Sequence, residues 1–269
     1  MRERTVSRRS VFPDAERPLV FGHRGFPSRA PENTLASFAV ALEHRVPGVE
    51  FDVHRCASGE LVVIHDSELT RLSGAPGVVE AMTLEELRRR DVGVWYSESF
   101  RGERVPLLEE VFELLSDRVY YDIEIKHERR NDPGIAEAVV KLVRARGLSE
   151  RVLISSFNPF AIRSLKNHAP EIPSAIIYSD SKELPWILRR GFGRYIGRAD
   201  ILKPNFRLVT RGSMFLDSGS AGHTVIPWTV NTEDEAARLL SLGVDGLISD
   251  DPAMIIQTVE KYKNARVRG

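Results

Sequence analysis

The 269-residue sequence contains a single cysteine, Cys56, so neither an intrachain disulfide nor a multi-thiolate zinc site can form. It carries no excess of either charge, with 38 basic residues against 38 acidic ones. A chain that binds nucleic acid through its overall field usually shows a basic surplus, so no nucleic-acid partner is expected. No apolar run approaches the ~20 residues of a membrane-spanning helix, and no stable membrane anchor is expected either. What remains is a globular composition, 42% hydrophobic and 28% charged, long enough to bury a large core.

Residues 1–17 hold five arginines interspersed with Glu3, Asp14 and Glu16, and no apolar stretch follows them. They read as an N-terminal extension and not as a transit peptide, which makes the cytoplasm the expected compartment. Residues 18–269 read as one domain.

Along that domain, short runs rich in Val, Ile and Leu alternate with stretches of helical spacing. The runs fall at 19–23, 49–53, 61–65, 119–125, 152–156, 174–178, 199–203, 225–230 and 246–249, most of them apolar enough to be covered on both faces. Helices are predicted at 32–45, 107–116, 134–146, 159–168, 181–190, 208–218, 232–242 and 251–263. The segment from Thr232 opens with a capping box to Glu235, and the last helix opens on Asp251-Pro252. Only seven residues separate Val53 from Leu61, with a turn signal at Ser58-Gly59. That is too short for a parallel crossover, so 61–65 must return as a hairpin arm. Eight strands remain, each followed by a helix, which suits a (β/α)₈ barrel; an open doubly wound sheet is the alternative. The stretch of about 66–106 is too long for a plain connecting loop and reads as a small insertion at the barrel mouth.

In such a barrel the site lies at the C-terminal strand ends. The first strand ends Gly22-His23-Arg24-Gly25. Glu50 and Asp52, two residues apart, share one face of the second strand, and the hairpin arm returns His65 to their level. Glu124 and Lys126 share a face of the next strand. Three carboxylates this close repel by about 4 kcal/mol per pair at 4 Å and an effective dielectric near 20, so some protonate or a cation sits among them. Oxygen ligands without cysteine favour Mg²⁺ or Ca²⁺. His23 and His65 beside them suit acid–base work, and Arg24 and Lys126 supply positive charge for a phosphate. His44, His54, His127, His168 and His223 read as structural or surface histidines.

The chain resembles the glycerophosphodiester phosphodiesterase family, within the wider group of phosphatidylinositol-phospholipase-C-like barrels. The matching stretches are Gly22-His23-Arg24-Gly25, Pro31-Glu32-Asn33-Thr34, Glu50-x-Asp52, Val63-Ile64-His65-Asp66 and Leu69-x-Arg71. Gly102 through Glu110, Ile123-Glu124-Ile125-Lys126, Ser155-Ser156-Phe157, Trp228-Thr229-Val230-Asn231 and Gly243-Val244-Asp245-Gly246 follow in the family's order. The resemblance implies a divalent metal held by Glu50, Asp52 and Glu124, and an acid–base pair of His23 and His65. It implies phosphate or glycerol contacts from Arg24 and Lys126, an apolar wall of Phe157 and Trp228, and Asn33 near the site. The implied reaction is metal-dependent hydrolysis of glycerophosphodiesters to sn-glycerol 3-phosphate and an alcohol. A lysophospholipase D, or a barrel that binds a phosphodiester without turnover, are the alternatives. Residues 203–207 and 220–223 depart from the family pattern near the substrate mouth.

Overall fold

A computed structural model of the chain describes residues 11–12, 14–126, 134–182, 184–186 and 188–268. Among them nine strands form one sheet: β1 (Leu19–His23), β2 (Gly48–Arg55), β3 (Leu61–Val63), β4 (Tyr120–Ile125), β5 (Val152–Ser156), β6 (Ser174–Tyr178), β7 (Ile201–Pro204), β8 (Thr224–Val225) and β9 (Gly246–Ser249). Neighbours run β8-β7-β6-β5-β4-β2-β1-β9, all parallel, while β3 lies antiparallel on β2 with Val63 opposite Val53. This is the expected eight-stranded barrel with its hairpin arm.

The barrel is closed between β8 and β9 by backbone bonds outside the regular ladder. Asp245 N donates to Val225 O at 2.9 Å, Ile248 N to Pro227 O at 3.1 Å, and Val230 N to Ile248 O at 2.8 Å. The strand predicted over 225–230 is therefore two residues of ladder and an irregular tail, because Pro227 has no N–H to continue it.

Side chains alternate across each strand and fill two different environments. Outward, Val49, Phe51 and Val53 of β2 and Tyr121, Ile123 and Ile125 of β4 pack under the helices Leu35–Glu43, Leu108–Leu115 and Ile135–Ala145. Inward, Phe21, Leu153, Ala175, Ile201, Ile226 and Ile248 form an apolar layer toward the N-terminal end of the barrel. Phe12 seals that end, its ring stacked 4.5 Å from Tyr120, and Arg17 pairs with Asp245 at 2.8 Å. One turn up, the inward layer becomes polar, with Glu50, Asp52, Asp122, Glu124, Ser155 and Lys203 all buried.

Two predicted helices are replaced by other structure. Over 181–190, where Pro185 breaks helical continuity, the described residues form only a 3₁₀ turn from Arg189, and a five-residue helix follows at Gly193–Gly197. Over 208–218 the chain restarts at Thr210, whose hydroxyl accepts from Ser213 N at 3.1 Å, giving a four-residue helix (Arg211–Met214) and a π turn (Phe215–Ser220). The helix Glu233–Ser241 is capped by Thr232, but Glu235 bonds the Thr232 hydroxyl and not its backbone N–H, so half of the predicted capping box forms. The insertion has its own apolar centre, in which Leu69, Leu72, Val79 and Leu87 pack against Val62 and Ile64 of the hairpin arm. Its helix Leu84–Arg88 carries the complete capping box of Thr83 and Glu86.

Candidate active site

The loop leaving β1 is built by two glycines that cannot be replaced without displacement. A Cβ on Gly22 would lie 1.9 Å from Gly25 O, and one on Gly25, whose φ is +95°, would lie 2.4 Å from Ser37 Oγ. Arg24 sits between them at φ +54°. Ser37 holds the loop on the next helix, its Oγ donating to Arg24 O at 3.0 Å and accepting from Phe26 N at 2.7 Å. His23 and Arg24 are thereby aimed over the barrel mouth. Gly22→Ala is expected to destabilise the fold by about 1–3 kcal/mol, as overpacking against fixed backbone does, measured by urea unfolding.

At the mouth Glu50, Asp52 and Glu124 each offer an oxygen, and these oxygens lie within 4.8 Å of one another. Asp52 is the most heavily partnered: Lys126 Nζ at 3.0 Å, Arg24 Nε at 3.4 Å and Asn33 Nδ2 at 2.8 Å. Burial opposes its ionisation, but Lys126 and Arg24 outweigh burial and hold its carboxyl far below the usual range. Lys126 also touches Glu124 at 2.5 Å. Glu50 has no such cover. Its nearest cationic groups are His23 Nε2 at 3.9 Å and Lys203 Nζ at 4.0 Å, with one bond from Arg24 N at 3.3 Å. Burial first, and then the charge on Asp52, push the Glu50 carboxyl up to about 7.

Those contacts show that the residues fit a dication. Beneath the three acids, Asp122 pairs with Lys203 at 2.7 Å, so four buried carboxylates share the cations Arg24, Lys126 and Lys203. The charge left uncovered falls on Glu50. An all-oxygen donor set with uncompensated negative charge suits a hard divalent ion. The triad could hold such a metal.

The imidazoles are each fixed from behind by a carboxylate. His23 Nδ1 lies 2.6 Å from Asp250 Oδ1, leaving Nε2 on the Glu50 side. His65 Nδ1 lies 2.7 Å from Asp66 Oδ1. Across the opening, Phe157 and Trp228 meet edge to face with centroids 5.6 Å apart. Of the ten residues expected at the site from the sequence, His23, Glu50, Asp52 and Glu124 lie on β1, β2 and β4, and Arg24, Asn33, His65, Lys126, Phe157 and Trp228 lie in the segments that follow β1, β3, β4, β5 and β8.

Residues 23–254 match the glycerophosphoryl diester phosphodiesterase family. The chain belongs to that family. The glycerophosphodiester phosphodiesterase of Caldanaerobacter subterraneus subsp. tengcongensis is 37% identical over 245 residues, covering 90% of this chain and 98% of the relative. A phosphodiesterase from Oleispira antarctica, solved in complex with the product sn-glycerol-3-phosphate, is 29% identical with a TM-score of 0.80, covering 91% and 97% of the two chains. A putative glycerophosphoryl diester phosphodiesterase from Silicibacter pomeroyi gives a TM-score of 0.80 at 28% identity, covering 91% and 94%. This chain is, by that membership, a phosphodiesterase. Among its described residues no helix is long and apolar enough to cross a membrane.

In this phosphodiesterase the structure adds residues that sequence reasoning left without a role. Lys203 is fully buried at the end of β7, bonded to Ser155 Oγ at 3.0 Å as well as to Asp122. Burial lowers the pKa of such an ammonium, yet Asp122, Glu50 and Glu124 outweigh burial and it stands raised. Its signal was present: a lysine between apolar residues at a C-terminal strand end. Glu32 and Arg71 complete a chain of charges, Arg24 to Glu32 at 2.7 Å, Glu32 to Arg71 at 2.7 Å, and Arg71 to Asp66 at 2.6 Å. Arg24 and His65 are thus braced through one network. Asn231 donates to Asp250 at 2.6 Å, and Thr232 caps the helix. Asn33 likewise orients Asp52, while Thr34 caps Leu35–Glu43. Of the histidines set aside, His54 Nε2 faces His65 O at 3.2 Å under the site, and His127 lies outside the described residues.

Proposed function

We propose that the protein hydrolyses soluble glycerophosphodiesters to sn-glycerol 3-phosphate and an alcohol such as choline or ethanolamine. The observation that carries this reading is the pair of carboxylate-braced imidazoles flanking one buried triad of acids. Residues 18–269 act as one catalytic domain behind the 1–17 extension, with the insertion at its mouth. Glu50, Asp52 and Glu124 hold Mg²⁺ or Ca²⁺, which when bound supplies Lewis-acid neutralisation of charge on the phosphate oxygens.

Arg24 and Lys126 bind the phosphoryl oxygens, and their fixed charge stabilises the more crowded phosphorus centre. Phe157 and Trp228 line the glycerol. Asn33 acts by keeping Asp52 in place. Burial holds the His65 imidazole below its ordinary range, so it is neutral near pH 7 and able to take a proton from the attacking hydroxyl or water. His23, oriented by Asp250 through Nδ1 at 2.6 Å, gives a proton to the alcohol oxygen as the bond from phosphorus to that oxygen breaks.

The test is choline release from glycerophosphocholine and from lysophosphatidylcholine, with Mg²⁺ or Ca²⁺ present; the phosphate product is glycerol 3-phosphate in the first case and the acylated glycerol phosphate in the second. Turnover of the soluble diester supports the proposal. Turnover of the lysolipid alone makes the protein a lysophospholipase D, and no product from either leaves a binding barrel.

The His65 assignment makes a pH prediction. As pH falls through its depressed pKa, His65 becomes protonated and cannot accept, so the acidic limb of kcat/KM lies below about pH 6.5, the ordinary histidine value. The bond to Asp66 raises the His65 pKa. Asp66→Asn is therefore expected to move that limb further down while lowering kcat about 10–100-fold through lost orientation. A pH–rate profile of the variant checks both, and a limb moving upward contradicts the role.

A further inference from the structure

In the described chain the helix after β6 is five residues long and the α-helix after β7 is four, continued by the π turn Phe215–Ser220, against eight to seventeen α-helical residues over β2, β4, β5, β8 and β9. Glycine makes this thin cover possible. A Cβ on Gly191 would lie 2.9 Å from the Tyr178 ring, one on Gly193 3.2 Å from Ile176, and one on Gly197 3.0 Å from Ile162. After β6 the backbone therefore rests through glycine on Tyr178 and Ile176 of the barrel and on Ile162 of the helix Pro159–His168, and larger residues nearby are exposed. Trp186 is 76% exposed, Tyr195 71%, Phe215 69%, Leu216 64% and Phe192 54%. Five of the seven most exposed large apolar residues of the described chain thus fall between 186 and 216. The Arg194–Asp217 ion pair, at 2.5 Å, ties the two segments together, and the exposed Tyr195 and Leu216 are the chain neighbours of its two partners.

The same stretch concentrates positive charge in a chain whose total is zero. Lys182, Arg189, Arg190, Arg198, Arg207 and Arg211 lie at or near its surface. Against them, the acids of 180–217 are Asp180, Glu183, Asp200, already bound to Lys166 at 2.6 Å, and Asp217, bound to Arg194. The face begins in the loop leaving Tyr178, at the C-terminal rim of the barrel where the active site opens.

We infer that this face adsorbs the protein onto an anionic phospholipid surface. Trp and Tyr rings favour the boundary between headgroups and acyl chains, and arginines around them are drawn to lipid phosphate. A second copy of the chain is the poorer occupant, because a two-fold contact sets the same cations against one another. The adsorption is peripheral and reversible, and it does not depend on which phosphodiester the active site hydrolyses.

Co-sedimentation of the full chain with vesicles tests this. Binding to phosphatidylglycerol–phosphatidylcholine vesicles is expected to exceed binding to pure phosphatidylcholine by about tenfold or more and to fall as salt is raised. Trp186→Ser with Tyr195→Ser, and separately Arg190→Glu with Arg211→Glu, are each expected to reduce the anionic binding about tenfold or more. Both variants should keep the wild-type melting temperature and turnover of a soluble diester, since none of the four residues touches the site. Equal binding to both vesicle types, or anionic binding that survives both variants, overturns the inference. So does a dimer in sedimentation velocity that Trp186→Ser with Tyr195→Ser dissolves while vesicles go unbound.

Discussion

His23→Ala and His65→Ala are each expected to lower kcat on a glycerophosphodiester by about 10²–10⁴-fold, the range that positioned acid–base groups contribute. KM should change little, because neither imidazole is assigned to binding the phosphate or the glycerol. The fold should persist: the side chains are 16% and 33% exposed, and each removal empties a spot at the mouth and not in the apolar layers. The double variant should be little worse than the slower single one, since groups serving one proton-transfer sequence are not additive. Steady-state kinetics with a thermal melt on each variant decides the matter. Losses under about tenfold in both variants would remove the acid–base assignment.

Withdrawal of divalent metal is expected to abolish turnover and to lower the melting temperature. An ion bound only by the folded state stabilises it by mass action, about 2.7 kcal/mol at one hundred times its dissociation constant. Without the ion, Glu50 is the group left exposed to the electrostatic conflict, its carboxyl pushed up to about 7 by burial and by Asp52. Glu50→Gln removes that charge. The variant should therefore match or exceed the metal-free wild type in melting temperature, yet show no rise when Mg²⁺ or Ca²⁺ is added. Scanning fluorimetry across a metal titration, for wild type and variant, separates the two effects. A wild-type melt and rate unchanged after dialysis against a chelator would contradict the site.

Much of the site was legible because chemistry and geometry both constrain strand ends. Glu50 and Asp52 had to share a face because side chains alternate, and the short link from Val53 to Leu61 had to fold back, bringing His65 to Asp52; Ile64 N indeed donates to Asp52 O at 3.0 Å. What escaped were the partners behind these groups. Asp250 lies 227 residues from His23, and Glu32 lies 39 from Arg71, so no local pattern connects them. Lys203 sat in a stretch that departs from the family pattern, and its departure hid a buried ion pair. The balanced total charge likewise conceals the basic stretch between 182 and 211, because a sum over the chain carries no spatial information.

Alternation, turn chemistry and strand count, which are properties of neighbouring residues, were enough to determine the barrel and its hairpin arm and to bring Glu50, Asp52 and Glu124 to one end of it. The tertiary structure alone decided how those groups are charged and held. Whether a carboxyl is compensated depends on which cations other strands bring within about 4 Å, since Coulomb energy in a buried site is set by distance and not by order along the chain. It likewise decided that the helix after β6 is only five residues long, because only packed neighbours reveal that glycines there lie against Tyr178, Ile176 and Ile162.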